Sequence, residues 1–171
     1  MTSMSKKERV LAAINHQATD RVPKGLSRQG CIDGKTFTLT GVVKGAGMIR
    51  PDVATMLCFI VTDARVGAGD LQAALAAGAD RSFNCITVDG DTSTNDTILL
   101  MASGASPAVI ESAASKAAFQ SALDDLMLGL AKWVVKDAEG SNKLVQIAVR
   151  GAQSDADARR VAETMGFPHY V

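Results

Sequence analysis

Apolar and polar residues alternate in two stretches of the chain, and two further stretches are almost wholly apolar. The alternation over 36–43, and again over 143–150, is typical of strands that bury one face. The apolar stretch at 55–62 predicts a strand covered on both faces, and the one at 98–102 predicts another strand. These patterns predict the strands of a β-sheet.

Helical spacing of apolar residues predicts helices between and beyond these strands. One covers residues 5–16, and another covers 70–77 and ends at Gly78. A long helix is expected to begin at Ser106 and Pro107, a good cap and first-turn pair, and to end near Gly140. Ser154 is expected to cap a last helix. The apolar stripe of the long helix is Phe119, Leu123, Leu126, Leu130 and Trp133, and that of the last helix is Ala158, Val161, Ala162 and Met165.

The stretch 25–34 has no period and is interrupted by glycine, so we predict a linker or an exposed loop there. We therefore divide the chain at residue 27, into a short helical head of unassigned origin at 1–27 and one domain at 28–171. The sequential order of strands and helices indicates a layered α/β or α+β domain.

Length, composition and charge narrow the classes of function. A chain of 171 residues that is 47% hydrophobic suits one compact domain. Its 18 basic and 18 acidic residues cancel, which argues against binding to nucleic acids or to anionic membranes. The apolar run at 56–61 is too short to span a bilayer, and we find no export signal, so we expect a cytoplasmic protein. Three cysteines without a CxxC pair predict reduced thiols.

Parts of the sequence resemble three familiar site motifs, but none of the three motifs is complete. The stretch 30–36 lacks the first glycine of a phosphate loop, and a strand rather than a helix follows it. The stretch 89–91 starts like a calcium loop, but Leu100 stands where the bidentate glutamate is needed. His16 and His169 lie at opposite ends of the chain, without the spacing of a zinc site or a support for a Ser-His-Asp triad. We expect no metal.

A glycine-rich loop leads from Lys44 to Thr55, a hydroxyl residue at the start of a predicted strand. Two interpretations are open on the residues alone. The loop is either an ordinary connection between strands with an exposed lysine or part of a functional site, and the pattern alone does not decide between them.

This loop resembles the signature of a known family, the bifunctional ornithine acetyltransferase/N-acetylglutamate synthases of arginine biosynthesis. The signature corresponds to Lys-Gly-Ala-Gly-Met-Ile at 44–49 and Ala-Thr-Met-Leu at 54–57, and the resemblance covers about residues 34–162. It implies an α+β fold of the αββα type with an N-terminal-nucleophile-like acetyltransferase core. Further segments that match in order and spacing are 62–64, 82–84, the polar stretch 89–97, Glu139 with Gly140, and Lys143.

The resemblance implies a self-processing enzyme. Members of the family cleave themselves between the residues that match Ala54 and Thr55. The freed α-amine can then serve as general base for the Thr55 hydroxyl, which is otherwise a poor nucleophile. Thr55 would carry acetyl from N-acetylornithine to glutamate, with Lys44 and Glu139 binding the substrate. Some members also use acetyl-CoA as a substrate, and no other cofactor is expected. The expected binding partners are small amino-acid substrates. The processed α and β chains are expected to assemble into an oligomer.

Parts of the family pattern are not found in this sequence. We expect a partial-length copy that lacks the Thr-Gly pair of the oxyanion hole and the carboxyl-terminal half of the site. The alternative to an enzyme is therefore a noncatalytic fragment or interaction module that pairs with a full-length relative through uncovered apolar faces. The stretch 5–23 is similar to the opening of uroporphyrinogen decarboxylase-like methyltransferases, from which we infer no methyl transfer.

Overall fold

A computed structural model describes residues 24–45, 56–87, 96–137 and 142–166, and the strands and helices are those of these residues. Four strands form a sheet in the order β1-β2-β3-β5, in which β1, β2 and β3 are antiparallel neighbours and β5 runs parallel to β3. Two short strands, β4 and β6, pair in parallel beside it. The strands are β1 Lys24–Ile32, β2 Lys35–Lys44, β3 Leu57–Thr62, β4 Arg65–Val66, β5 Thr97–Ala102 and β6 Val109–Ile110.

Two of the three described helices cover one face of the four-stranded sheet. The helices are α1 Ala68–Asp80, α2 Ala113–Lys136 and α3 Asp155–Gly166, with a short 3-10 helix at Phe83–Cys85. α1 and α2 are the two that cover the sheet, whereas α3 lies at the end of α1, where the Arg159 guanidinium donates to the Asp80 carbonyl at 2.8 Å. The long α2 packs across β1 and β2, and α1 packs against α2 and β5. The predicted α+β class is confirmed, and the described residues contain one helix-covered sheet of the layered arrangement. The largest fully buried side chains between the layers include Phe37, Leu39, Ile60, Phe119, Leu123, Leu126, Met127 and Leu130.

The prediction of a loop at 25–34 is wrong, because β1 and a tight turn occupy that stretch. β1 pairs with β2 along its whole length, from Lys24 opposite Val43 to Ile32 opposite Lys35. Asp33 and Gly34 have φ of 51° and 75°, the positive values that a two-residue hairpin turn requires. The strand runs through residue 27. The helical head predicted at 5–16 lies outside the described residues, so the division of the chain at 27 stays a prediction.

Two predicted helix boundaries move for packing reasons. Gly78 does not end α1 but lies buried inside it, where an added Cβ would meet Met127 Sδ at 2.6 Å, so this glycine permits close approach of α1 to α2. The long helix does not begin at Ser106. That hydroxyl donates to the Thr36 carbonyl at 2.6 Å, and Ser112 caps α2 by accepting from the Ser115 amide at 3.1 Å. α2 ends at Lys136, before the predicted end near Gly140.

The strand predicted over 143–150 does not form. No described strand pairs with this stretch, and all its side chains except the half-buried Val149 are exposed, Val145 with 76% of its surface. Alternation alone cannot make a strand, because the backbone groups need a neighbouring strand. The last predicted helix is confirmed as α3, and the Ser154 hydroxyl caps it by accepting from the Asp157 amide at 3.1 Å.

Candidate functional site

One edge of the sheet brings together three segments that are far apart in the sequence. Because β2 and β3 are antiparallel, the end of β2 lies beside the start of β3. Because β3 and β5 are parallel, the start of β5 lies at the same edge. Lys44, Leu57 and Thr97 therefore form one row across three strands, with Lys44 opposite Leu57 and Leu57 opposite Thr97. We call this the site edge.

Lys44 ends β2 with its side chain exposed on the face that the helices leave open. The burial of β2 alternates along the strand, with Leu39, Gly41 and Val43 against the helices and Val42 and Lys44 on the opposite side. An exposed ammonium at this position can pair with a carboxylate of a small ligand. The open location of Lys44 agrees with the substrate contact implied by the family resemblance, and that role stays a prediction.

Gly45 follows Lys44 and lies directly against Met56. Its φ is 154°, and a Cβ added there would stand 3.0 Å from Met56 Cα and 3.2 Å from Met56 Cβ. A side chain at position 45 would thus require the backbone that enters β3 to shift by a few tenths of an ångström. This close approach is one physical reason for a glycine immediately after the lysine.

Met56 is held on its other side by the residues that start β5. Its amide donates to Asp96 Oδ1 at 3.0 Å, and its carbonyl accepts from the Thr97 amide at 3.0 Å. Both polar groups of the Met56 backbone are therefore fixed by two consecutive residues. The sequence alone does not assign Asp96 to the site, because the polar stretch 89–97 suits a loop that stabilises itself through side-chain hydrogen bonds equally well.

The other candidate residues lie outside the described residues. Ala54 and Thr55 directly precede Met56 in the chain, and Glu139 is the second residue after the described stretch 96–137. The roles of these residues in self-cleavage, nucleophilic attack and substrate binding stay predictions. The structure thus places Lys44 at the site edge together with the strand that follows Thr55.

The open face of the sheet is apolar, which corrects the prediction that residues 55–62 are covered on both faces. Only the helix side of β3 is buried, and Phe59 on the other side is 40% exposed. The strand register places the exposed residues in two adjacent rows across the sheet. One row consists of Val42, Phe59 and Leu99, and the next contains Val61 and Met101. We call these side chains the open apolar face: Val42, Phe59, Val61, Leu99 and Met101.

A shallow groove lies at the opposite end of the same face, lined in part by Thr38, Asp63 and Ser103. Its polar groups are engaged within the protein. Asp63 Oδ1 accepts from the Thr38 amide at 2.7 Å, and the Thr62 hydroxyl donates to the Thr38 carbonyl at 2.8 Å. These bonds join β2 to the end of β3. The polar groups that line the groove therefore stabilise the fold, and none of them is assigned a catalytic role.

Two further properties concern the described parts of the chain only. Within them, no group of three or more His, Cys, Asp or Glu side chains is arranged to hold a metal ion. None of their helices combines the length and the apolar character needed to cross a membrane.

Comparison of the chain with known proteins identifies the same family as the sequence motifs. The model of the ArgJ family matches residues 2–167, a span that includes most of the predicted head. The "Arginine biosynthesis bifunctional protein ArgJ" of Ruegeria pomeroyi is 55% identical over 148 residues, which are 86% of this chain and 36% of that protein. Its counterpart in Methylococcus capsulatus is 50% identical over 162 residues, which are 94% of this chain and 40% of that protein.

A solved structure agrees with these relatives. The crystal structure of the protein of the same name from Bacillus halodurans superposes with a TM-score of 0.59 at 43% identity, over 63% of this chain and 52% of that chain. The chain thus spans between 36% and 40% of the length of the two curated relatives above. On the match over residues 2–167, this chain belongs to the ArgJ family.

Proposed function

We propose that the chain provides the nucleophile of an acetyl transfer from N-acetylornithine to glutamate, with Thr55 as the acetyl carrier. The observation that carries the proposal is the site edge. There Lys44 is paired in register with Leu57, which follows Thr55 by two positions. Membership of a family named for bifunctional arginine biosynthesis supports the same chemistry.

The proposed first step is scission of the Ala54–Thr55 peptide bond. The Thr55 hydroxyl oxygen attacks the Ala54 carbonyl carbon, the C–N bond breaks, and the acyl group moves from nitrogen to oxygen as an ester. Water then hydrolyses this ester, which leaves a carboxylate on Ala54 and restores the Thr55 hydroxyl. The product has a free α-amine on the residue that bears the hydroxyl, and that amine is positioned to act as a general base.

The proposed transfer proceeds through an acetyl ester. The Thr55 oxygen attacks the acetyl carbonyl, its proton passes by way of the α-amine to the departing ornithine nitrogen, and the acetyl group stays on Thr55. The α-amine of glutamate then attacks the ester carbonyl carbon, and the bond from that carbon to the Thr55 oxygen breaks. A proton lost by the attacking amine restores the Thr55 hydroxyl, and N-acetylglutamate leaves. Lys44 is proposed to pair with a substrate carboxylate and Glu139 with a substrate cation. Use of acetyl-CoA, a cytoplasmic location and an oligomer of processed α and β chains belong to the same proposal.

The test supplies the purified chain with N-acetylornithine and glutamate and measures the N-acetylglutamate that forms by mass spectrometry. Thr55→Ala is expected to abolish transfer, and Thr55→Ser is expected to retain part of it, because a hydroxyl survives. Lys44→Gln is expected to raise KM about tenfold or more, since a charged contact is lost. Lys35→Gln, at the exposed far end of β2, is the matched control and should leave KM unchanged. Transfer by Thr55→Ala at the wild-type rate would overturn the proposal.

The open apolar face favours a second candidate function, an interaction module without catalysis. Five large side chains on one sheet face are between 39% and 47% exposed, a pattern typical of a surface that binds another protein layer. We propose a full-length ArgJ relative as the partner. Phe59→Lys should abolish co-purification with such a relative, whereas Leu128→Lys, equally 40% exposed but on α2, should not. Equal binding by both variants would contradict this candidate.

A further inference from the structure

We infer that Asp96 is a positioning residue, whose carboxylate fixes the peptide that carries Thr55. The inference rests on the proposed function of Thr55, but its structural core is the contact between two described residues. Met56 donates its amide proton to Asp96 Oδ1 at 3.0 Å across 40 positions of sequence. The nitrogen of that amide is bonded to the carbonyl carbon of Thr55, so the carboxylate acts one peptide bond from the proposed nucleophile.

Among the described residues, β2 offers no ladder partner for this amide. The ladder between β2 and β3 runs from Thr62 to Leu57, and Met56 lies one residue beyond its end. The Asp96 carboxylate replaces the missing strand partner there. A hydrogen bond to a charged acceptor is stronger than one between neutral groups, which suits a site at the sheet's exposed edge.

Three contacts together define the orientation of Met56. Asp96 holds its amide, Thr97 holds its carbonyl at 3.0 Å, and Gly45 leaves room for its Cα and Cβ on the opposite side. Once the chain is cut before Thr55, that residue is covalently attached through the Met56 peptide alone. Its hydroxyl oxygen is only a few bonds away from the held nitrogen, so the orientation of this peptide controls the approach of the oxygen to an acetyl carbon.

The expected effect on rate follows from the precision that such an attack requires. A misplacement of about 1 Å costs about 100-fold in the rate of a reaction between positioned groups. Asp96 has no proposed proton transfer to perform, and it does not touch the substrate in this account. Loss of its oxygen should therefore lower both the rate constant of scission and the kcat of acetyl transfer. KM for N-acetylornithine should stay within about twofold of the wild-type value.

The experiment compares Asp96→Ala and Asp96→Asn in the full chain, with Asp125→Ala, an exposed carboxylate on α2, as the control. Hydrogen exchange of the Met56 amide, followed by NMR, reports the contact independently of activity. We expect exchange about tenfold faster in Asp96→Ala. Asp96→Asn keeps an acceptor oxygen and should restore both protection and kcat in large part, whereas Asp125→Ala should match the wild type.

Each outcome decides between the proposals. Unchanged Met56 exchange in Asp96→Ala, or rapid exchange in a folded Asp96→Asn protein, would overturn the positioning role. A kcat as low in Asp96→Asn as in Asp96→Ala would also overturn it, because the charge and not the acceptor would then be needed. Protection of Met56 in a wild-type chain that neither cuts nor transfers would instead overturn the proposed function, while the Asp96 contact would stand.

Discussion

Gly45 and Met56 are in such close contact that a Cβ on Gly45 would stand 3.0 Å from Met56 Cα. The φ of 154° at Gly45 adds strain for any larger residue. Gly45→Ala is therefore expected to lower the free energy of unfolding by about 1–3 kcal/mol, measured by urea denaturation. The same substitution should also slow scission before Thr55, since it displaces the backbone of Met56, the residue after Thr55.

Gly69→Ala in α1 is the matched control for that substitution. A Cβ at Gly69 would meet no other atom within 4 Å, and alanine is the better helix former. This variant should not lower the free energy of unfolding. Equal losses in both variants would show that the contact between Gly45 and Met56 is not the cause.

The packing of α2 on the sheet predicts a contrast between two leucines of the same helix. Leu130 is fully buried, whereas Leu128 is 40% exposed. Leu130→Ala should cost about 2–5 kcal/mol in the free energy of unfolding, because it leaves a cavity between helix and sheet. Leu128→Ala should change it by about 0.5 kcal/mol or less. Similar losses from both would contradict the placement of the core.

The three cysteines should differ in reactivity. Cys58 is fully buried, and burial raises the pKa of its thiol to about 12, whereas Cys31 and Cys85 are exposed. Because the thiolate is the reactive form, iodoacetamide should modify Cys31 and Cys85 in the native protein and spare Cys58. Peptide mass mapping measures this, with protein in denaturant as the control in which all three react. Native modification of Cys58 at the rate of the other two would exclude the observed sheet.

The start of α3 should respond to acid. The Ser154 hydroxyl, and after it the Arg160 guanidinium, hydrogen-bond to the Asp157 carboxylate and lower its pKa below the usual value. A lowered pKa in the folded state stabilises the protein above the usual carboxyl pKa, and this stabilisation is lost as pH falls through the folded value. NMR titration of the Asp157 carboxyl should therefore give a higher pKa in Ser154→Ala than in the wild type. An unchanged titration would show that the Ser154 hydroxyl does not donate to the Asp157 carboxylate.

The sequence could predict those elements whose side-chain pattern matches their burial. β2 alternates because one face packs under α2, and the stripe of α2 is apolar because it covers the sheet. β1 could not be found in this way. Its residues are largely polar or glycine, and it is a strand because its backbone pairs with β2 after the Asp33–Gly34 turn. The stretch 143–150 shows the reverse, an alternating pattern without a strand beside it.

The candidate site was predictable in part. Lys44 stood out through its motif, and the register of β2 and β3 places it beside the residues that follow Thr55. Asp96 could not be assigned from the sequence, because its contact with Met56 depends on the parallel pairing of β3 with β5. A relationship across 40 residues is set by the topology of the sheet and not by any local pattern.

The mass of the purified chain tests the central claim, scission before Thr55, most directly. After prolonged incubation, mass spectrometry should find two fragments in the wild type, residues 1–54 and residues 55–171, and only the whole chain in Thr55→Ala. A wild-type chain that stays whole under the same conditions would contradict the account.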